Sequence, residues 1–340
     1  MSFWTIVVYS LLLCVALGLG IAVWYVKSLF RAPDYSRLPA HYPFKTEAAQ
    51  QKYLKYDDER SQQWPTPSEA RHIDTSFGKT FVRICGQENA TPLVLLPSGF
   101  ASSLIWLPNI KGLAKNFKIY AIDNIYDVGR SVNTRSVKDA GDLTGWLDEL
   151  FTKLELGNNI NLMGLSFGGW LASQYALRYQ DRLRNVVLAA PVATIFPLPG
   201  QWAWRGIMGA LPPHRFFMTH FLTNWMCQSL VKKGDEHSKR LLGNWMNDAL
   251  MAMNCFAFRM PITPTVLTDE ELRSLEVPVL FLVGEKEVVY HSDKAVQRLK
   301  AVAPLITTEV IQNASHDLTI SQTQKVNSEV TEFLMGELHE

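Results

Sequence analysis

The chain has 340 residues, 47% of them hydrophobic, and a formal net charge of +1. That length and apolar content suffice for one large domain with a full core, or for two small ones. The near-neutral charge provides neither a basic surface for nucleic acid nor the acidic run of a disordered tail. We therefore expect a globular protein with no nucleic-acid partner.

An uncharged segment at the N-terminus predicts a membrane anchor. Residues 3–26 carry no charged side chain over 24 positions. As a helix rising about 1.5 Å per residue, this segment would cross a hydrocarbon core of about 30 Å. A cleavable signal peptide is the alternative, but it would have a positive charge before a shorter apolar run and small residues at its cleavage site. We predict a single-pass transmembrane helix within residues 1–30.

Two basic residues, Lys27 and Arg31, follow this segment. Because positive flanks remain on the cytoplasmic side of a membrane, they predict a cytoplasmic location for the rest of the chain. The four cysteines form no CxxC pair and show no metal-ligand spacing, so no metal or other cofactor is predicted. If the domain faced an oxidising compartment instead, Cys227 and Cys255 would be the best candidates for a disulfide.

Polar, proline-containing residues 31–67 predict a juxtamembrane linker, helical around residues 46–60. From residue 68 to residue 338, short apolar runs alternate with helix-like runs. The predicted strands are 80–84, 92–96, 117–122, 160–163, 186–190, 277–283 and 307–311, and the predicted helices include 137–156, 294–302 and 321–335. This alternation predicts an α/β domain with a mostly parallel sheet flanked by helices.

One interval, residues 195–275, shows no strand pattern. It is rich in tryptophan and methionine: Trp202, Trp204, Trp225, Trp245, Met208, Met218, Met226, Met246, Met251, Met253 and Met260. An insertion of this length is usually functional or forms a subdomain. Its composition predicts a helical cap over an apolar site; a second small hydrophobic core is the alternative.

The motif Gly164-Leu165-Ser166-Phe167-Gly168 lies where a buried strand gives way to a helix. It fits an ordinary turn in which Ser166 caps the helix. It also fits a nucleophile elbow, in which the serine hydroxyl projects from a tight bend that has no room for a Cβ on either side. A serine nucleophile needs a histidine base and a carboxylate that orients it.

Candidates for both partners follow later strands of the sheet. Three carboxylates, Glu285, Glu287 and Asp293, come after the strand at 277–283. His316 alone among the histidines lies between the last predicted strand and the last helix, while His291 follows the earlier strand. The chain order of serine, carboxylate and histidine is that of doubly wound hydrolases. The pattern selects His316 and leaves the three carboxylates open.

Five stretches carry a resemblance to a known family: PLVLLPSGFASSLIWLPNI, AIDNIYDVGRS, GLSFGG, LTDEELRSLEVPVLFLVGEKEVVY and NASHDL. Together they resemble α/β-hydrolase fold enzymes, and more narrowly bacterial carboxylesterases of the kind found in Bacillus, over about residues 56–334. The resemblance implies the α/β-hydrolase fold, with Ser166 as nucleophile, Glu287 as acid and His316 as base. It favours Glu287 because most relatives with a Gly-Glu-x-Asp form have their aspartate at this position.

The resemblance fails at one loop. Family members usually carry His-Gly after the strand that ends at Leu96, whereas this chain has Pro97-Ser98, followed by Gly99. The resemblance implies an oxyanion hole made by two backbone N–H groups, one from Phe167 and one from this loop, assigned to Gly99. Backbone donors survive side-chain changes when the loop keeps its shape.

These features predict a membrane-anchored serine hydrolase that cleaves small-molecule carboxylic esters through an acyl-enzyme. The apolar cap composition predicts an apolar acyl group, with medium-chain esters preferred over acetyl esters. Acyltransferases, thioesterases and carbon–carbon hydrolases use the same triad and are alternatives, as is a non-catalytic binding module of the same fold. The sequence does not indicate an oligomeric state.

Overall fold

The computed structural model describes residues 3–29, 31, 33–202, 205, 214–257 and 262–336. It begins with helix α1, Phe3–Leu29. Within α1, Trp4–Tyr25 has a mean hydropathy of 2.7 and no buried side chains, and among the described residues it is the one helix long and apolar enough to span a membrane. Its length and composition fit a membrane anchor and a signal sequence alike.

The described residues form one nine-stranded sheet. Its strands are β1 Ser68–Thr75, β2 Gly78–Gly86, β3 Pro92–Leu96, β4 Lys118–Ile122, β5 Val132–Asn133, β6 Ile160–Leu165, β7 Leu183–Ala189, β8 Val279–Gly284 and β9 Thr307–Ile311. Their order is β1-β2-β4-β3-β6-β7-β8-β9, with β5 beside β2. The pairs from β4 to β9 are parallel, and β2 pairs antiparallel with β1, β4 and β5. This confirms the prediction of a mostly parallel sheet.

Helices cover both faces of the sheet. They are α2 Glu47–Ser61, α3 Leu107–Leu113, α4 Ala140–Lys153, α5 Phe167–Tyr179, α6 Arg215–Phe221, α7 Gln228–Lys233, α8 Glu236–Cys255, α9 Asp269–Arg273, α10 Ser292–Val302, α11 Leu318–Ser321 and α12 Thr323–Met335. Strand β3 shows how they are arranged, because its residues alternate between the two faces. Val94 and Leu96 pack in the cluster of α4 and α5, while Leu93 and Leu95 pack in that of α3 and α12. The sheet is thus buried on both faces, as parallel sheets are.

The sequence pattern does not predict β1. Most of its residues are exposed, and it lies at the edge of the sheet, paired antiparallel with β2 alone. A polar edge strand lacks the apolar alternation that marks a half-buried strand. The amino-acid composition of β1 therefore gives no signal that this segment is a strand paired with β2.

The interval between β7 and β8 is helical where the structure describes it. It contains α6 to α9 and a π-helical turn at Leu222–Met226, with no strand among its described residues. Trp204, Met208 and Met260 lie outside the described residues. Met218 and Leu230 belong to the same buried cluster as β3 and α12. Ala252, Cys255 and Phe256 pack instead with Phe44 and Tyr53 in a smaller separate cluster. The described part of the interval therefore packs partly on the main core and partly in this smaller cluster.

Helix α2 lies in the predicted linker, confirming the helix expected at 46–60. Thr46 caps it by accepting the Ala49 N–H at 3.0 Å. The helix docks on the α/β domain through Asp57, which is 1% exposed and forms ion pairs with Arg83 and Arg130. The predicted domain boundary at residue 68 thus leaves out a helix that packs on the domain. Charge pairs between residues distant in sequence give no local signal.

The four cysteines are free thiols. Cys227 lies in the buried cluster of β3 and α12, whereas Cys255 packs with Phe44 and Tyr53 in another cluster. Separate surroundings explain why no bridge joins Cys227 to Cys255, the pair considered for an oxidising compartment.

Candidate active site

Ser166 lies at a sharp bend between β6 and α5. Its backbone has φ 55° and ψ −111°, and its side chain makes no capping hydrogen bond to the helix. A positive φ is strained for a residue other than glycine and persists only where neighbouring contacts hold it. Here the Ser166 N–H donates to the Ala189 carbonyl at 2.9 Å. This geometry fits the tight bend expected of a nucleophile elbow better than it fits an ordinary N-cap.

The glycines of the motif are sterically required. A Cβ on Gly164 would lie 2.0 Å from the Gly168 carbonyl oxygen, and one on Gly168 would lie 2.5 Å from the carbonyl oxygens of Leu96 and Pro97. Contacts this short force the backbone to move. Gly168 therefore allows the start of α5 to approach the loop that follows β3.

His316 lies beside Ser166, in the loop between β9 and α11. Its side chain is 4% exposed. The Nε2 atom is 3.0 Å from Ser166 Oγ, and the Nδ1 atom is 3.0 Å and 3.1 Å from the two carboxylate oxygens of Glu287. The predicted nucleophile, base and acid are thus connected by hydrogen bonds.

Of the three candidate carboxylates, Glu287 contacts His316. Its side chain is fully buried, and its Oε1 atom accepts the N–H groups of Val288 at 2.8 Å and Val289 at 3.0 Å. Glu285 and Asp293 are both exposed; Glu285 accepts the Asn313 N–H instead. The backbone of the loop after β8 therefore orients Glu287 toward the imidazole.

Opposing effects act on the charge of His316. Burial alone would lower its pKa, but the charge and hydrogen bond of Glu287, with a contribution from Asp317, raise the pKa above 6.5. The site therefore favours the imidazolium, the form that exists after the base has taken a proton. Within the described ranges, no three His, Cys, Asp or Glu side chains are grouped so that they could hold a metal ion.

The two predicted oxyanion donors are neighbours. A Cβ on Gly99 would lie 3.5 Å from the Cβ of Phe167, so the loop after β3 lies against the first residue of α5. Phe167 has no intrahelical acceptor for its N–H because it begins the helix. In the part of the chain that the structure describes, neither this N–H nor that of Gly99 donates to an acceptor.

Asp317 is a structural residue that the sequence reasoning missed. It is buried, and its Oδ2 atom accepts the Leu230 N–H of α7 at 3.1 Å. Trp202, at the start of the same interval, donates from its indole to the Val288 carbonyl at 2.9 Å. The helical interval thus contacts both loops that carry Glu287 and His316. Asp317 follows His316 directly, but its partner lies 87 positions away, which no local pattern reveals.

A cavity of about 190 Å³ adjoins the loop after β3 through Phe100, Ala101 and Ser102, and neither Ser166 nor His316 is among its lining residues. Its apolar lining includes Phe100, Leu104, Leu107, Leu241, Trp245 and Ile320. Its polar lining includes Arg60, Gln63, Arg240, Asn244 and Asp248. The cavity therefore lies among helices α2, α3, α8 and α11, beside Phe100, which follows Gly99 in the chain.

Comparison with known proteins agrees with this fold. The sequence model described as "Alpha/beta hydrolase family" matches residues 93–329. The chain is 30% identical to the carboxylesterase YbfK of Bacillus subtilis and 32% identical to the uncharacterized carboxylesterase nap of the same organism; each match covers 84% of this chain and 93% of the relative. The crystal structure of a naproxen esterase from Bacillus subtilis superposes with a TM-score of 0.77 at 30% identity, covering 85% of this chain and 99% of the esterase. The chain therefore belongs to the alpha/beta hydrolase family, as a carboxylesterase-like member.

Proposed function

We propose that this protein hydrolyses carboxylic esters with Ser166 as nucleophile, His316 as general base and acid, and Glu287 as the carboxylate that orients the histidine. The observation that carries the proposal is the hydrogen-bonded series from Ser166 Oγ through His316 to Glu287, with distances of 3.0 to 3.1 Å. The strained backbone of Ser166 supports it, because such strain is typical of functional sites.

In the first half of the reaction, Ser166 Oγ attacks the ester carbonyl carbon while His316 Nε2 takes the hydroxyl proton. Glu287 accepts the hydrogen bond from Nδ1 and stabilises the imidazolium. The carbonyl oxygen becomes an oxyanion, for which the N–H groups of Phe167 and Gly99 are the proposed donors. The intermediate collapses as His316 returns the proton to the leaving alcohol, and the acyl group remains on Ser166.

In the second half, water takes the place of the alcohol. His316 removes a proton from the water, the resulting hydroxide attacks the acyl carbon, and the proton passes to Ser166 Oγ as the carboxylic acid leaves. The enzyme returns to its starting state, and no cofactor is required for this proton balance.

The substrate is proposed to be a small ester with an apolar acyl group. The cavity beside Phe100 supports this, because most of its lining is aliphatic or aromatic. Helix α8, which belongs to the helical interval, contributes Leu241 and Trp245 to that lining, as expected of a cap. A buried methylene contributes about 0.8 kcal/mol, so kcat/KM should rise several-fold per carbon until the cavity is full. We expect medium-chain esters to be preferred over acetyl esters.

We also propose that α1 anchors the enzyme in a membrane with the hydrolase domain in the cytoplasm. The uncharged span Trp4–Tyr25 within α1 and the basic residues Lys27 and Arg31 that follow it support this orientation. A phosphatase that works only in the periplasm, fused to the C-terminus, should be inactive. An active fusion would place the domain on the opposite side.

The activity is tested with a fluorophosphonate probe and a series of p-nitrophenyl esters from acetyl to octanoyl. The wild type should be labelled and should cleave the esters, whereas Ser166→Ala should do neither. A wild type that is neither labelled nor active would favour a non-catalytic binding module. Labelling without release of the free acid, but with transfer to an added alcohol or thiol, would favour the acyltransferase alternative.

A further inference from the structure

The loop after β3, residues 97–102, carries Gly99, the proposed oxyanion donor. Phe100 in this loop has φ 62° although it is not a glycine. A residue in this left-handed region costs of order 1–3 kcal/mol unless surrounding contacts stabilise it. The Phe100 N–H donates to Asp127 Oδ2 at 2.9 Å.

Asp127 belongs to a second loop, residues 123–130, that runs beside the first. Its other oxygen, Oδ1, accepts the N–H of Val128 at 2.8 Å. Asp123 makes the equivalent contact farther along, accepting the N–H of Ser103 at 2.7 Å and that of Arg130 at 2.8 Å. Asp127 thus holds the loop after β3 at Phe100, and Asp123 holds Ser103, the residue that follows the loop. The contact of Asp127 is adjacent to Gly99.

The same second loop also contacts the other proposed oxyanion donor. The ring of Tyr126 packs edge-on against the ring of Phe167, with centroids 5.9 Å apart. A Cβ on Gly99 would lie 3.5 Å from the Cβ of the same Phe167. Tyr126 therefore contacts one proposed donor residue, Phe167, and Asp127 contacts Phe100, the neighbour of the other proposed donor residue, Gly99.

We propose that Asp127 is a positioning residue for ester hydrolysis: as a carboxylate it holds the Phe100 N–H and thereby aims the neighbouring Gly99 N–H at the oxyanion. This inference rests on the function proposed above. The contact acts mainly on the transition state, because the negative oxygen exists there and not in the ground state. It therefore affects kcat far more than KM.

The hydrogen bond from Phe100 to Asp127 depends on pH, because Asp127 can be protonated. Burial raises the pKa of Asp127 to about 7, with the Phe100 and Val128 N–H groups opposing the rise and the charge of Asp123 adding to it. Above that pH the ionised carboxylate accepts both N–H groups. Below it the proton occupies an acceptor oxygen and weakens the hold on the loop, so the hydrolysis rate falls with falling pH.

Other titratable or charged groups surround this pair of loops. The second loop contributes Asp123, Tyr126 and Arg130, and β2 contributes Arg83. Helix α2 contributes Tyr53, Tyr56, Asp57, Asp58 and Arg60. From α8, Arg240 and Asp248 line the cavity that Phe100 and Val128 also line. Asp57 faces Asp123 and is paired with Arg83 and Arg130. Among these charged groups, Asp123 is the one that raises the pKa of Asp127 through its charge.

The test compares Asp127→Asn with Asp142→Asn. Asp142 is the matched control, because it also accepts a backbone N–H, that of Lys138 at 2.8 Å, but lies on α4. In Asp127→Asn we expect kcat to fall roughly 10- to 100-fold with KM nearly unchanged, a fraction of the 10²- to 10³-fold effect of losing an oxyanion donor. The affinity for a trifluoromethyl ketone, which forms a tetrahedral oxyanion on Ser166, should fall by a similar factor. The control should match the wild type in all three.

The pH profile provides a second measurement that needs no variant to fold. In the wild type, the acid limb of log kcat/KM should be steeper than a single ionisation, since both His316 and Asp127 lose protons there. In Asp127→Asn the limb should follow one ionisation. An unchanged kcat in Asp127→Asn, a loss of kcat without loss of ketone affinity, or a wild-type limb of one ionisation would each overturn the inference. A wild type that cleaves no ester would instead overturn the proposed function.

Discussion

The proposed site has two halves that are held in different ways. In the acid–base half, side chains contact side chains: His316 bonds both Ser166 and Glu287. In the oxyanion half, backbone groups are aimed by the packing of two loops and a helix start, with Gly168 allowing the close approach. The first half depends on residue identity and the second on backbone position. Substitutions in the two halves should therefore differ in size and in kinetic signature.

The largest effects are expected at the nucleophile and base. Ser166→Ala and His316→Ala should each lower kcat by roughly 10⁴- to 10⁶-fold, and the double variant should be no worse, because the groups act as a unit. Steady-state kinetics with a p-nitrophenyl ester measures this. The controls are Ser173→Ala, a buried serine of α5 that bonds the Trp170 carbonyl, and His291→Ala, an exposed histidine. Additive losses in the double variant would contradict a shared mechanism.

Loss of the orienting carboxylate should rank next. Glu287→Gln should lower kcat by about 10³- to 10⁴-fold, because the amide no longer stabilises the imidazolium or fixes its tautomer. The wild-type rate should fall as pH drops through the raised pKa of His316. In Glu287→Gln that pKa loses the contribution that raises it, so the part of the acid limb that is due to His316 should move to lower pH.

The matched control for that variant is Glu285→Gln, since Glu285 lies two positions away but is exposed and bonds Asn313. It should keep the wild-type rate and pH profile. Full activity in Glu287→Gln together with loss of activity in Glu285→Gln or Asp293→Asn would show that the acid is misassigned.

A smaller effect is expected from moving the oxyanion half alone. In Gly168→Ala the new Cβ would approach the Leu96 and Pro97 carbonyl oxygens to 2.5 Å, so the loop after β3 must shift. We expect a loss of about 10²-fold in kcat, the size of one lost oxyanion donor, with the pH profile retained. Gly145→Ala in α4, where no atom lies within 4 Å of the new Cβ, is the control and should leave kcat unchanged. Equal rates in the two variants would contradict the role given to this approach.

The smallest effect is expected far from both halves. Deleting residues 1–30 removes α1, which has no buried side chains within Trp4–Tyr25, so kcat/KM should stay within about twofold of the full chain.

Deleting residues 1–61 also removes Asp57 and leaves Arg83 and Arg130 without it, which should cost about 3–5 kcal/mol of unfolding free energy. Denaturant unfolding and ester kinetics distinguish the two. An inert but folded protein after the shorter deletion would contradict the account.

The same division explains what the sequence could predict. Most strands of the parallel sheet are apolar runs, and the predicted bounds of β3 and of the more polar β9 agree with the observed ones. Ser166 and His316 stand at strand ends in a recognisable order, so they could be named from the residues alone. Glu287 needed the resemblance to a family, because Glu285 and Asp293 satisfy the same order.

What could not be predicted depends on contacts between distant residues. The docking of α2 depends on Asp57 meeting Arg83 and Arg130, which lie 26 and 73 positions away. The hydrogen bond from Phe100 to Asp127 joins residues 27 positions apart, and the composition of neither loop predicts it. Such contacts follow from the fold and not from local periodicity.

The most direct test of the central claim is the acyl-enzyme itself. The full chain is mixed rapidly with a p-nitrophenyl ester, the release of p-nitrophenol is followed before the steady state, and the quenched protein is analysed by peptide mass spectrometry. We predict an initial burst of p-nitrophenol, and an added acyl mass on the peptide that carries Ser166 and on no other peptide. Hydrolysis by the wild type with no acyl mass on Ser166, or with the mass on another residue, would contradict the claim that Ser166 is the nucleophile.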